Sequence, residues 1–158
     1  MVIRPFAALR PTRADAASVA SVPYDVVDFA EAKALAAGND RSFLHVSRPE
    51  IDLPPGTDPS SDEAYAQAKK ALDALEAQGV LVRDDQARYY AYRQCMGSHS
   101  QTGIVATFDT KDYLAGVLKQ HEKTRKDKED DRTRHIEVLK AHTDPAFLTY
   151  RDDKAIDL

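Results

Sequence analysis

Residues 61–79, SDEAYAQAKKALDALEAQG, constrain the fold more than any other stretch of the chain. Ser61 or Asp62 can cap a helix and Gly79 can end it. Between them, Ala64, Ala68, Leu72 and Leu75 stand at i, i+4, i+8 and i+11, a single apolar stripe on a polar rod. Such a helix needs other elements to cover its stripe. A chain of 158 residues, 42% hydrophobic and 30% charged, has enough material for one ordinary domain with a core.

The neighbouring segments supply candidates for that cover. The runs 87–96 and 100–109 are strand-like and flank Gly97-Ser98-His99, a hairpin signal that puts Tyr90 and Tyr92 on one face. VLVRDD after Gly79 reads as a short strand. VIRPFAAL (2–9) reads as an edge strand broken by Pro5. Residues 18–27 read as extended, with Pro23-Tyr24-Asp25 a rigid bend. Residues 28–39 carry helix signals at both ends, Asp28 with Glu31 and then Gly38-Asn39. SFLHVSRPE (42–50) and PAFLTYR (145–151) are expected as strands, 51–61 as a proline-rich loop, and 112–120 as helix running into residue 121. The expected class is α+β: a mixed, mainly antiparallel sheet with several helices, in a single domain over 1–151 with a tail at 152–158.

Charge and composition narrow the function classes. A net charge of −4 argues against general affinity for nucleic-acid backbone, although Tyr89, Tyr90 and Tyr92 offer stacking surfaces. Cys95 is the single cysteine, so no intrachain disulfide can form. No apolar run reaches the ~18 residues needed to span a bilayer. The first residues lack a continuous apolar stretch of the secretory kind, which makes the cytoplasm the simplest expectation.

The densest charge lies in HEKTRKDKEDDRTRH, residues 121–135. On a helix, His121, Arg125, Lys128, Arg132 and His135 fall within an arc of roughly 80° along ~21 Å, and Leu139 continues the line. The carboxylates Glu122, Asp127, Glu129, Asp130 and Asp131 lie elsewhere on the wheel. A helix face kept for solubility usually alternates sign at four residues so that charges pair. Here like charges stand four apart, a pattern suited to an anion: arginine forks onto phosphate, lysine adds a point charge, and protonated histidine donates from both nitrogens. A solvated face answered by carboxylates of a neighbouring element is the competing explanation. For a metal, His121 and Glu122 with His135 or His142 lack the His-x-x-x-His spacing, and no metal site is assigned.

IRPFAALRP, VPYDVV, FLHVSRPEIDLP, YRQ, TGIVATFD and above all the 121–135 block together resemble the DUF1015 family of proteins of unknown function, from about Ile3 to Arg151. The matching positions are His121, Glu122, Thr124, Arg125, Lys128, Asp131, Arg132 and His135 in the block, and Pro23, Tyr24 and Asp25 in the bend. The resemblance implies a longer protein whose downstream Asp-Gly-His-His-Arg segment is similar to the phosphate motif of the ParB/sulfiredoxin superfamily. Members of that superfamily bind or hydrolyse nucleotides and include free-serine kinases. This chain has no such segment, so it is expected to be a natural short form or a piece of a longer protein, and a ParB/sulfiredoxin-like element is expected only with the missing sequence.

These readings give a phosphate- or nucleotide-binding domain, part of a small-molecule kinase or nucleotide hydrolase. Glu122 and Asp131 are the expected catalytic carboxylates. His121, Arg125, Lys128, Arg132, His135, Tyr24 and Asp25 are the expected ligand contacts. A nucleotide with Mg²⁺ is the implied cofactor, and an anionic small molecule the expected partner. The alternative is a non-catalytic module docking an acidic partner through the basic face of the helix.

Overall fold

The computed structural model describes residues 2–120, 123–151, 153 and 155. Helix α4, Asp62–Ala77, organises it. The Ser61 hydroxyl accepts from the Ala64 N–H at 3.2 Å, and Gly79 turns the chain away at φ +69°. Ala64, Tyr65, Ala68, Leu72 and Leu75 are buried, so the stripe legible in the sequence does face the core. Ala68, Leu72 and Leu75 pack with Val19, Val46, Val80, Leu81 and Leu139. A second apolar cluster, Ala32, Ala36, Leu44 and Ile51, lies beside α2, Phe29–Ala36. Helix α2 starts with a reciprocal capping box between Asp28 and Glu31, with both bonds at 2.9 Å.

The class is α+β, and every strand pair among the described residues is antiparallel. The amino-terminal segment supplies one side of a ribbon. β1, Ile3–Arg4, pairs with β6, Thr107–Phe108; β2, Leu9–Pro11, pairs with β3, Leu81–Arg83; and Phe6 bridges Arg88 between them. β4, Tyr90–Met96, and β5, His99–Val105, form the expected hairpin. Met96 pairs with His99 across a two-residue turn that opens with Gly97 at φ +59°. Tyr90 ties the hairpin base down: its hydroxyl donates to Asp84 at 2.7 Å and accepts from the Ala8 N–H at 2.9 Å. Arg10 forks onto the same carboxylate, and Arg10 with Tyr90 lowers the Asp84 pKa to about 2.

Four expected elements differ. Residues 42–50 form helix α3, Leu44–Ser47, and a 3₁₀ turn, Pro49–Asp52, rather than a strand. Tertiary packing overrides the β propensity there: Leu44 enters the α2 cluster while Val46 enters the α4 cluster, a division that a single helical turn allows. Part of 18–27 is helical, because α1 spans Ala16–Val19 and the chain extends only afterwards. α5, Thr110–Leu114, stops before Gly116 at φ +69° and does not run into residue 121. Residues 145–151 form no strand, and Phe147, Leu148 and Tyr150 are exposed.

Helix α6 spans Lys126–Leu139, so the charged block is helical from Lys126 onward, with Arg125 as its N-cap. Lys140 ends it in the left-handed conformation at φ +55°. No helix among the described residues is long and apolar enough to cross a membrane.

Candidate functional site

A polar network joins the bend at 23–25, the 3₁₀ turn, α4 and α6. It starts from Glu50, a carboxylate with 5% of its side chain exposed, which accepts from Arg48 Nε at 2.6 Å. A buried charge must be paired, and Arg48 meets that need on one side of its guanidinium. On the other side its Nη1 donates to the backbone carbonyls of Tyr24 at 2.9 Å and Val27 at 2.7 Å. The bend is therefore clamped from behind by an arginine that is itself anchored.

The clamp sets the Tyr24 ring, over which the guanidinium of Arg132 lies 4.2 Å from the centroid. Partial burial raises the Tyr24 hydroxyl's pKa, against the pull of Arg132. Arg132 donates through Nε and Nη2 to Asp131 at 3.0 and 2.8 Å. Its Nη1 reaches Asp144 at 3.5 Å. Asp131 also accepts from the Tyr65 hydroxyl at 2.7 Å and from Ser60 at 3.1 Å. Burial disfavours its charge, but Tyr65, Arg132 and Ser60 outweigh that cost and hold its pKa below the ordinary value. Burial and the bond to Asp131 together push the Tyr65 hydroxyl up to about 12.

His135 lies one turn further on, 1% exposed. Its Nε2 sits 3.3 Å from the Val46 carbonyl, which can only accept, so Nε2 carries the hydrogen. Nδ1 is buried with no hydrogen-bond partner among the described residues. Burial lowers the His135 pKa, and the Val46 carbonyl offsets this only in part.

The expected cation stripe is thus divided along α6. Arg125 and Lys128 are exposed at its amino end, and Arg125 is paired with Asp127 at 2.7 Å. Arg132 is half-buried among carboxylates, and His135 is in the core. Tyr24 joins Arg132, while Asp25 is exposed beside them. His121 and Glu122 lie outside the described residues. Two clefts, of about 250 and 290 Å³, lie away from the described part of the stripe, one beside His45 and Lys70, the other beside Val22 and Leu35. With four donors on its two oxygens, Asp131 is placed to hold Arg132 rather than to take a proton.

Sequence reasoning missed Arg48, Glu50, Ser60, Tyr65 and Asp144 as members of the network. Two had a signal. Arg48 and Glu50 flank Pro49 inside an apolar run, where charges on neither side of a strand would be solvated. Tyr65 follows Ala64 on the buried face of α4, and a buried tyrosine hydroxyl seeks a partner.

Over residues 3–158 the chain matches the model of the family described as protein of unknown function (DUF1015), and it belongs to that family. No curated protein and no solved structure matches it.

Proposed function

We propose that this member of the DUF1015 family binds the phosphate groups of a nucleotide, or of a similar phosphorylated small molecule, along the amino-terminal half of α6. The observation that carries this is Arg132: its flat face is stacked on Tyr24 and two of its nitrogens are fixed by Asp131, so its position is set before any ligand arrives. Lys128 stands one turn before it and Arg125 two, both exposed. Among the described residues no side chain caps the amino end of α6, and the first N–H groups of a helix favour an anion. The acids of the first turn, Asp127 and Glu129, compete for that end and make the site one of modest affinity.

In this reading the domain is the phosphate-holding part of a phosphotransferase or nucleotide hydrolase of the ParB/sulfiredoxin type. Arg125, Lys128 and Arg132 offset the charge that develops as phosphoryl leaves. Asp131 fixes Arg132, Tyr24 and Asp25 border the ligand, and Glu122 accepts a proton or holds the Mg²⁺ that enters with the nucleotide. Among the described residues no three His, Cys, Asp or Glu side chains are grouped to hold a metal ion by themselves.

Calorimetric titration with ATP, ADP and CTP, with and without Mg²⁺, tests the reading. Binding at or tighter than ~1 mM is expected, lost about tenfold in Lys128→Ala, since a bond to a charged group contributes about 1.5 kcal/mol. Heat that is absent with every nucleotide would remove it.

The open setting of Arg125, Lys126 and Lys128 also favours a second reading, docking of an acidic protein segment without catalysis. Salt-sensitive association on a sizing column, with no nucleotide-specific stabilisation, would select it.

A further inference from the structure

The two carboxylates on Arg132 are bound in unlike ways. Asp131 takes two short bonds from Nε and Nη2, has 15% of its side chain exposed, and is anchored in turn by Tyr65 and Ser60. Asp144 takes one long contact from Nη1, at 3.5 Å, and is 43% exposed. Among the described residues its other bond is accepted from the hydroxyl of Thr143, its own neighbour in the chain, at 2.9 Å. It lies past the end of α6, in residues that adopt no regular structure. With Tyr24 over one face of the guanidinium and Asp131 along one edge, the Nη1 edge is the one held most loosely.

We propose that Asp144 is a built-in competitor: its carboxylate stands where an oxygen of a phosphate monoester would bind Arg132, and ligand binding displaces it. This rests on the phosphate reading given above. The local charge favours exchange over simple addition. Asp25, Asp131 and Asp144 already bring three carboxylates to the surroundings of Tyr24 and Arg132. A phosphate added beside all three would bring close to two further negative charges and be repelled, whereas one that replaces Asp144 adds at most about one. The site then selects ligands that present a compact terminal phosphate, able to push aside one carboxylate, over ligands that carry a single carboxylate.

The test uses inorganic phosphate as probe and the ¹⁵Nε signal of Arg132 as reporter, in the wild-type chain, in Asp144→Asn and in Asp85→Asn. Asp85 is 78% exposed and pairs with Arg88 near the hairpin, so its variant makes the same change in net charge elsewhere. Phosphate is expected to shift the Arg132 signal at about three- to fivefold lower concentration in Asp144→Asn, the range of an exposed ion pair, and at the wild-type concentration in Asp85→Asn. Asp144→Ser is expected to behave like Asp144→Asn, and serves if the latter melts early. Equal midpoints in all chains, or an Arg132 signal that phosphate never moves, overturn the proposal. The nucleotide reading stands apart from this: heat from ATP with no gain in Asp144→Asn removes the competitor alone. A phosphate gain with no heat from any nucleotide removes the nucleotide and keeps the competitor.

Discussion

Helices α4 and α6 pack against each other and are held by different forces. Along its sixteen residues, α4 buries an unbroken stripe of Ala64, Tyr65, Ala68, Leu72 and Leu75. Over fourteen residues, α6 buries only His135 and Leu139. Val138 packs beside Leu139 against the same core, and the attachments earlier in the helix are polar: Asp131 to Tyr65 and Ser60, and Arg132 to the Tyr24 ring. Apolar burial is non-directional and fixes a helix along its whole length. Hydrogen bonds are directional and local, so they fix α6 at its middle turn and leave Arg125 and Lys128 in water. The same chain therefore builds one helix held along its whole length and one whose first turn stands in water.

The largest effect expected lies behind the bend. Arg48→Met strands the Glu50 carboxylate in the interior and should cost about 3–5 kcal/mol in denaturant unfolding. A double variant, Arg48→Met with Glu50→Leu, should recover most of that loss; a double variant as unstable as the single one would show that the clamp on the Tyr24 and Val27 carbonyls matters more than the stranded charge. Next comes Leu72→Ala in α4, expected to cost about 3 kcal/mol as a buried methyl cluster is removed. Asp131→Asn is the matching cut in α6 and should cost about 2 kcal/mol, because charged hydrogen bonds to Tyr65 and Arg132 are lost. Should Asp131→Asn leave the unfolding midpoint where it was, α6 is held by Leu139 and its neighbours, and the contrast between the helices fails.

Acid should separate the two attachments by pH. The folded pKa of His135 lies below its ordinary value near 6.5, so below pH 6.5 the unfolded chain takes up a proton that the folded chain refuses. Stability is complete above that pH and falls by up to ~1.4 kcal/mol per unit as the pH drops, until the folded histidine itself protonates. His135→Phe should flatten this slope in unfolding curves taken from pH 7.5 to 5.5. Asp131 acts in a lower window. Its folded pKa is depressed from the ordinary 3.8, so its contribution is present above that value and is lost as the pH falls through the folded one. The smallest effect belongs to the exposed Lys126–Asp130 pair: Lys126→Ala should not move the midpoint measurably.

The stripe of α4, the capping box of α2 and the β4–β5 hairpin were legible in the sequence because each is local: spacing, a cap or a turn residue decides it. α3 was not, since Leu44 and Val46 take their conformation from two separate apolar clusters that no window around them contains. The site was half legible. Tyr24, Asp131 and Arg132 stand out by motif, and the structure brings them together. The division of the stripe was invisible, because periodicity tells which residues share a face and not how deep each end of that face is buried. The clamp made by Arg48 escaped for the same reason as α3: the carbonyls of Tyr24 and Val27 lie more than twenty positions away in the chain.

Amide and arginine side-chain shift mapping during titration with ATP and Mg²⁺ tests the central claim most directly. Perturbations confined to Arg125 through Lys128, Tyr24, Arg132 and Asp144 are predicted, with the exposed hairpin from Tyr90 to Val105 unmoved. Shifts concentrated on the hairpin or on the cleft beside His45 and Lys70, with α6 silent, would contradict it.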